Sequence, residues 1–288
     1  RYKESRNNNG EIMAGTIEIN GTGGIIEGNL GAANVNVNLD AVHDLDGSDD
    51  YLYAADHNDF SFGDGSSDNP FSVSAWIYMD DATNFSIISK GTYNSTAEYA
   101  FKIQSDNKIH FWIADESVAS CHIGRVSPAL TQYEGTWIHV AGTYNGNGSG
   151  SSDLKIYIDG VQVDNATDES NAASYVAMEN LTANLHIGRY SSNYANGKIA
   201  DVRVYAEELT ASEIQVLASK INVNTSLGAG TANLKAYWPI AGTSIDITDN
   251  SANSHNLTAS GSPATVYDTF SVDVYDNSTT TDGTFTIT

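Results

Sequence analysis

Acidic side chains occur at alternate positions in one short segment, and their oxygens could bind a hard cation. The segment presents them from Asp44, Asp46, Ser48 and Asp50. Ca²⁺ takes roughly six to eight oxygen ligands in proteins. The segment is not an EF-hand loop, because the sixth position counted from Asp44 is Asp49 instead of glycine. The sequence therefore predicts a calcium site that includes Asp44, Asp46 and Asp50, with a solvated acidic turn as the alternative.

Aromatic and amide side chains in predicted loops could bind a carbohydrate. Aromatic rings stack on the apolar faces of sugars, and Asn side chains both donate to and accept from hydroxyl groups. The loop residues of these types are Tyr93, Asn94, Tyr190, Asn193 and Tyr194. Each of them could equally belong to an ordinary solvated turn. We expect these five residues to contact a glycan or a cell-surface polysaccharide.

The sequence contains no recognisable catalytic motif. A Gly-x-Ser-x-Gly elbow, a His-Glu-x-x-His helix and a phosphate-binding loop are all absent. A glycosidase needs two carboxylates about 5–9.5 Å apart, and the nearest acid pairs, 115–116 and 168–169, lie in turn-like stretches. We therefore expect no enzymatic activity, although residues that meet only in the folded chain could still form an active site.

The charge of the chain restricts its partners. The 288 residues include 36 acidic and 13 basic side chains, which gives a formal net charge of −23. Phosphate binding needs clustered Lys and Arg, so this excess of acid argues against a nucleic-acid partner. It is compatible with divalent cations and with uncharged or cationic partners. No apolar run approaches the roughly 20 residues of a membrane helix, and no membrane insertion is expected.

Several other chemically active residue types are expected to be structural. Cys121 is the single cysteine, which excludes an internal disulfide, and its strand-like context predicts a small buried side chain. Three histidines in predicted strands are expected to be hydrogen-bonded imidazoles: His110, His139 and His186. Three tryptophans in alternating strands are expected in the core: Trp76, Trp112 and Trp137.

The elements that must position these residues are mainly strands. Apolar and polar residues alternate in 71–79, 99–103, 108–113, 137–144 and 198–205, which is typical of strands with one buried face. Asp159-Gly160 separates two such runs and predicts a tight hairpin. One helix is predicted, because Thr210 and Glu213 have the spacing of a capping box. The pattern predicts an all-β fold: an antiparallel two-sheet jelly-roll sandwich with a short C-terminal helix and small β-rich flanking arms.

Changes of composition divide the chain into four parts. They are an N-terminal arm at 1–40, a main domain at 41–220, a linker at 221–233 and a small β-rich appendage at 234–288. The arm has few large apolar residues, so we expect it to pair with something else. Gly10-Glu11 before Met13 could be a translated ribosome-binding stretch, which predicts a natural start at Met13 and a non-native segment 1–12. An ordinary tail or the cut edge of a longer protein are the alternatives.

Short motifs in a fixed order resemble the concanavalin A-like lectin/laminin-G superfamily, specifically its jelly-roll branch in bacteria and phages. They include Leu-Asp-Gly-Ser-Asp-Asp-Tyr-Leu at 45–52, Phe-Ser-Val-Ser-Ala-Trp-Ile at 71–77 and Asn-Gly-Lys-Ile-Ala-Asp-Val-Arg-Val-Tyr at 196–205. The resemblance implies that the 45–50 turn lies near 197–201, which would add Asp201 to the calcium ligands. The superfamily includes lectins, adhesion modules and glycosidases. The Glu-x-Asp-x-x-Glu motif that its enzymes often carry is absent here.

These observations lead to one expected function and two alternatives. We expect a non-catalytic carbohydrate-binding or adhesion module, stabilised by calcium, that is extracellular or on a virion surface. The first alternative is a structural decoration or fibre subunit without a ligand, which forms homo-oligomers or binds other virion proteins. This alternative rests on a general similarity to structural proteins of marine phages. The second alternative is a glycoside hydrolase with a dispersed site.

Overall fold

The strands of the chain account for most of its regular structure. A computed structural model describes residues 42–219, 233–238, 247–264 and 266 in full, and the backbone alone of 17–19, 24–27, 33–41, 265, 267–274 and 284–287. The strands in these ranges are β1 (Ile17–Ile19), β2 (Gly24–Glu27), β3 (Ala33–Asp46), β4 (Tyr51–Ala54), β5 (Phe71–Met79), β6 (Ser86–Lys90), β7 (Tyr99–Ile103), β8 (Lys108–Asp115), β9 (Cys121–Ala129), β10 (Trp137–Tyr144), β11 (Leu154–Ile158), β12 (Val161–Gln162), β13 (Ala166–Thr167), β14 (Leu185–Ile187), β15 (Arg189–Tyr190), β16 (Asn193–Tyr194), β17 (Asn196–Tyr205), β18 (Leu234–Trp238), β19 (Thr258–Ser260), β20 (Ala264–Val274) and β21 (Thr284–Ile287). The described ranges contain one α-helix, α1 (Ala211–Ser219). Their helices include none that is both long and apolar enough to cross a membrane.

Two large sheets form a sandwich. The nine-stranded sheet has the order β1-β3-β17-β5-β10-β11-β12, with β18 also paired to β17 and β20 also paired to β3. The eight-stranded sheet has the order β13-β9-β8-β7-β6-β14-β4-β19. Every pair in these sheets is antiparallel except β1 with β3. The predicted all-β jelly-roll sandwich with a short helix is confirmed.

The main core lies between the two sheets. Alternate residues of β5, such as Val73 and Ile77, point into this core. Phe111 of β8, on the other sheet, belongs to the same core. Gly142 on β10 permits its close approach, because a Cβ atom there would lie 3.0 Å from the Phe111 ring. Cys121 is 1% exposed within the same core, as expected.

The expectation that three tryptophans lie in the core is confirmed for Trp112, which is 4% exposed, but Trp76 and Trp137 are only partly buried. Trp76 and Trp137 pack with Val42 and Ala200 in a separate cluster. Trp112 packs with Tyr190 and other residues in a further cluster. The period of two assigns alternate residues to opposite faces, but it does not show which face is inside when both carry apolar side chains, as at Phe111 and Trp112.

The capping box and the hairpin turn that the sequence predicts are both present in the structure. Thr210 Oγ1 accepts a hydrogen bond from the Glu213 N–H at 3.3 Å, and Glu213 Oε2 accepts one from the Thr210 N–H at 2.8 Å. The helix that follows buries Ile214 and Leu217 against one patch of the nine-stranded sheet. Asp159 and Gly160 both have positive φ, +47° and +77°, as a two-residue hairpin of this type requires.

Strands from the C-terminal part of the chain join both sheets. β18 pairs with β17, β20 pairs with β3 over residues 264–274, and β19 pairs with β4. Trp238, at the end of β18, is fully buried in the main core. The backbone of the N-terminal arm therefore pairs with residues of the same chain. The four-part division stays a prediction, and residues 1–12 and most of the linker lie outside the described residues.

Candidate functional site

An acidic pocket of about 550 Å³ lies beside the turn that follows β3. Five carboxylates line it, from Asp44, Asp46, Asp49, Asp50 and Asp80. The antiparallel register brings these segments together, because Asn196 of β17 pairs with Asp46 and Gly197 pairs with both Leu45 and Met79. Like charges at such close quarters repel one another, so the pocket favours a cation.

Three of these carboxylates are close enough to share one ion. One oxygen from each of Asp46, Asp49 and Asp50 lies within 4.8 Å of the others. Asp46 Oδ1 accepts the Ser48 N–H at 2.8 Å, and backbone hydrogen bonds of this kind, chiefly from Ser48, lower the pKa of Asp46. Asp50 Oδ1 accepts the Ser262 N–H at 2.6 Å. The group has the oxygen-rich character that Ca²⁺ prefers.

The pocket contains most of the predicted metal ligands but not all. Asp44, Asp46 and Asp50 line it, and Asp49 and Asp80 were missed. Asp49 could have been predicted, because it lies in the same turn as Asp46 and Asp50. Asp80 reaches the pocket only through the pairing of β5 with β17. Asp201 does not line the pocket: its Oδ1 accepts from Arg203 Nε at 3.0 Å and from Nη2 at 2.9 Å. The positive φ of Asp201 and a register shift between Ala200 and Arg203 mark a bulge at this point.

Four aromatic side chains and one arginine lie together on the outer face of the eight-stranded sheet. They are Tyr51 and Tyr53 of β4, His186 of β14, and Arg189 and Tyr194 of the β15–β16 hairpin, and we call this group the tyrosine face. The Tyr51 ring lies 6.1 Å from Tyr53, 6.2 Å from Tyr194 and 5.4 Å from His186. The Arg189 guanidinium is 4.7 Å from the centre of the Tyr51 ring. All five side chains are partly exposed.

Hydrogen bonds fix the hairpin of the tyrosine face on the sheet. Ser89 Oγ donates to the Arg189 carbonyl at 2.8 Å, and Ser86 Oγ donates to the Asn193 carbonyl at 3.3 Å. Burial, followed by the charge of Arg189, lowers the pKa of His186 to about 4. His186 is consequently neutral at pH 7. The tyrosine face therefore offers aromatic rings and the single cation of Arg189 on a fixed support.

A chain of hydrogen bonds runs along the same sheet from Asp106 to Tyr93. His110 contacts Asp106 at 3.2 Å and Asp168 at 2.6 Å, while His122 contacts Asp168 at 3.1 Å and the Tyr93 hydroxyl at 2.8 Å. Burial alone would raise the pKa of Asp168, but its hydrogen bonds with the two histidines outweigh burial and lower the pKa. These groups satisfy one another, as expected for His110.

The five predicted ligand-binding residues lie on the loop after β6 and on the β15–β16 hairpin, which contact each other. The Tyr93 N–H donates to the Tyr190 hydroxyl at 3.3 Å. Tyr190 is only 9% exposed, so it supports its neighbours more than it presents a surface. Asn94 is exposed, but its amide oxygen already accepts from the Ser120 N–H at 3.0 Å. Tyr194 lies beside Tyr51, which sequence reasoning missed because Tyr51 lies inside a strand, whereas Asn193 pairs with Tyr190 in the hairpin.

One carboxylate of each acid pair considered for catalysis, Asp115 and Asp168, is held by internal hydrogen bonds. Asp115 accepts from Ser117 Oγ at 2.6 Å and from the Val176 N–H at 3.0 Å. Asp168 is held by the two histidines described above.

Comparisons with known proteins agree on the fold. The model of a family described as the concanavalin A-like lectin/glucanases superfamily matches residues 46–215, more than half of the chain. A proposed carbohydrate-binding protein from Bacteroides ovatus has a TM-score of 0.50 and 16% identity, with 83% of this chain and 61% of that chain covered. The chain thus spans about three fifths of that protein. No curated protein sequence matches the chain.

Two further solved structures are more distant. Domain 4 of AbnA, a GH43 extracellular arabinanase from Geobacillus stearothermophilus, in complex with arabinotriose, has a TM-score of 0.38 and 22% identity, with 54% of this chain and 69% of that chain covered. The binding domain of botulinum neurotoxin serotype D has a TM-score of 0.43 and 16% identity, with 65% and 42% covered. At these identities the similarity concerns the fold alone.

Proposed function

Because the chain belongs to the concanavalin A-like lectin/glucanases superfamily, we propose that it is a non-catalytic carbohydrate-binding module that acts in adhesion, outside the cell or on a virion surface. The tyrosine face is the observation that carries this proposal. Its partly exposed rings contact one another, and hydrogen bonds hold the backbone of the hairpin that carries Tyr194, so little conformational entropy is lost when a ligand binds. The Arg189 guanidinium, 4.7 Å from the centre of the Tyr51 ring, supplies donors for sugar hydroxyls.

The proposed ligand is an uncharged glycan that lies across Tyr51 and Tyr194. Aromatic rings provide apolar contact for sugar faces, and the ring spacing of 6.2 Å allows one saccharide to contact both rings. The description of the Bacteroides ovatus structure as a proposed carbohydrate-binding protein is consistent with this role.

A glycan-array screen followed by calorimetry tests the proposal. We expect binding to a defined glycan class, and at least about fivefold weaker binding by a Tyr51→Ala/Tyr194→Ala variant, since each lost aromatic contact is worth roughly 0.5–1.5 kcal/mol. Tyr78→Ala is the matched control, because Tyr78 is also partly exposed but lies on the other sheet. Equal binding by all three proteins would reject the tyrosine face, and release of sugar from the bound glycan would favour a hydrolase.

We further propose that the acidic pocket binds Ca²⁺ through Asp46, Asp49 and Asp50, with Asp44 and Asp80 close by. The ion would hold the 46–50 turn, which leads directly into Tyr51. We expect Ca²⁺ to release or absorb heat in calorimetry and to raise the melting temperature, and Asp46→Asn to weaken both effects. Asp64→Asn is the control, because Asp64 is an exposed acid that caps a similar turn elsewhere. Absence of heat and of any melting shift would reject the site.

A further inference from the structure

Two histidines and an aspartate meet where the C-terminal segment contacts the 3₁₀ turn Asn58–Phe60. They are His57, Asp59 and His255. One nitrogen of each imidazole and one oxygen of the carboxylate lie within 4.8 Å of one another. This cluster shares no residue with the acidic pocket or with the tyrosine face. Histidine nitrogen together with carboxylate oxygen is a ligand set that suits Zn²⁺ and similar transition metals better than Ca²⁺.

The separations between the ligand atoms suit one small ion. His57 Nδ1 lies 3.3 Å from Asp59 Oδ2, and His255 Nε2 lies 2.9 Å from the same oxygen. A tetrahedral zinc ion with bonds of about 2.0–2.2 Å places its ligand atoms roughly 3.3–3.5 Å apart. The His57–Asp59 separation already lies in this range, and the His255–Asp59 separation needs to lengthen by about half an ångström. This shift is within reach of side-chain movement.

Neighbouring groups hold two of the ligands in place. The His255 N–H donates to Asp249 Oδ2 at 2.8 Å, and the His255 carbonyl accepts from Trp238 Nε1 at 2.7 Å. Lys235 Nζ lies 3.2 Å from Asp59 Oδ1, which leaves Oδ2 directed at the histidines. The two His255 contacts fix its backbone, and the Lys235 contact is of the outer kind that commonly orients a metal-binding carboxylate.

The third ligand can adjust, and an ion can reach it. The His57 side chain is 53% exposed. Its Nδ1 accepts the Asp59 N–H at 3.1 Å, a single contact that the exposed ring can exchange for a metal bond by rotating. Lys235 neutralises Asp59 locally, but the net charge of −23 on the whole chain favours the approach of a dication.

We propose that His57, Asp59 and His255 bind a transition-metal dication of the Zn²⁺ type, with water in the fourth position. The ion connects residue 255 of the C-terminal segment to residues 57 and 59 of the main domain. An ion that binds only the folded chain stabilises it in proportion to the logarithm of ion concentration over Kd. The site is therefore a metal clip between two distant parts of the chain.

Metal titration of the full chain without a polyhistidine tag tests this proposal. We expect Zn²⁺ to raise the melting temperature in chelator-treated protein, and Co²⁺ to give the visible absorption bands of a four-coordinate site. The variants His57→Ala and His255→Ala are each expected to bind Zn²⁺ at least about tenfold more weakly. His110→Ala is the matched control, since His110 is also a partly exposed histidine that contacts aspartates but lies outside the cluster and outside the tyrosine face.

The outcomes separate this site from the acidic pocket and from a simple ion-pair network. Asp46→Asn is expected to leave Zn²⁺ binding unchanged. Equal Zn²⁺ affinity in the wild type and in His57→Ala would overturn the proposal, as would the absence of Zn²⁺ binding by the wild type at micromolar concentrations. If His255→Ala fails to fold, His57→Ala decides the question, because His57 is exposed and makes few contacts.

Discussion

At the scale of single residues, the buried histidine His139 shows how burial controls ionisation in this sandwich. It is 2% exposed, and its Nδ1 has no hydrogen-bond partner. Burial, followed by the nearby positive charge of Arg203, lowers the pKa of His139 to about 3. The sequence predicted a hydrogen-bonded imidazole here, and that expectation is wrong for this nitrogen. The strand pattern places His139 on the face beside Trp76 rather than near an acceptor.

His139 is expected to make stability depend on pH. The unfolded chain protonates this histidine below about pH 6.5, whereas the folded chain keeps it neutral to about pH 3. Stability contributed by the neutral form is therefore complete above pH 6.5 and falls as the pH decreases. Between pH 7.5 and 5.5 the loss from this residue is about 1.4 kcal/mol.

Urea unfolding of the wild type and of His139→Leu at both pH values measures this effect. The wild type should lose more stability than the variant over this pH range, by about 1.4 kcal/mol. Comparing the two pH values within each protein cancels the packing cost of the substitution. An identical pH dependence in both proteins would contradict a buried neutral His139.

At the scale of elements, the turns and the helix cap could be predicted from the sequence. Which face of the sheet each strand residue lies on could not. The Asp159-Gly160 turn and the Thr210–Glu213 capping box were predicted because each depends on residues that are adjacent in the chain. The site residues Tyr51 and Asp80 could not be predicted, because their roles depend on which strands pair. Asp201, which the family resemblance implied as a calcium ligand, does not line the acidic pocket, and a bulge shifts the strand register there. The alternation of polar and apolar residues does not encode such a register shift.

The helix α1 is expected to depend on its N-terminal cap. Thr210→Ala removes the acceptor for the Glu213 N–H and should cost about 1 kcal/mol. The helix covers buried tyrosines of the nine-stranded sheet, so its loss is felt in global unfolding. Ser212→Ala is a control in the same exposed turn and should leave stability unchanged or slightly higher. Equal urea midpoints for both variants would show that the cap contributes little.

At the scale of the whole molecule, the sandwich is completed by strands that are distant in sequence. β4 pairs with β19 and β3 pairs with β20, although more than 200 residues separate the partners. The composition of the N-terminal arm predicted that it pairs with another segment. It did not indicate that residues 264–274 of the same chain are that segment. Alternation predicts that a segment is a strand, and it carries no information about a partner so far away.

A chain that ends at residue 220 is expected to be much less stable than the full chain. It lacks Trp238, which fills part of the main core, and loss of a buried tryptophan side chain alone costs about 3–5 kcal/mol. Thermal unfolding of 1–220, of the full chain and of the full-length Trp238→Ala variant tests this. Equal melting temperatures would support residues 41–220 as an independent domain and 234–288 as a dispensable appendage.

The pairing of β3 with β20 also determines how the molecule responds to mechanical load. Ala33 is paired with Val274 at one end of this antiparallel ladder, and Asp44 is paired with Ala264 at the other. Tension applied through residues 33 and 274 pulls at the same end of the ladder, so it opens the hydrogen bonds one after another instead of shearing them together. If the molecule is held by these two strands, the hydrogen bonds between β3 and β20 open first, at low force. The strands that carry the tyrosine face bear no tension during this step.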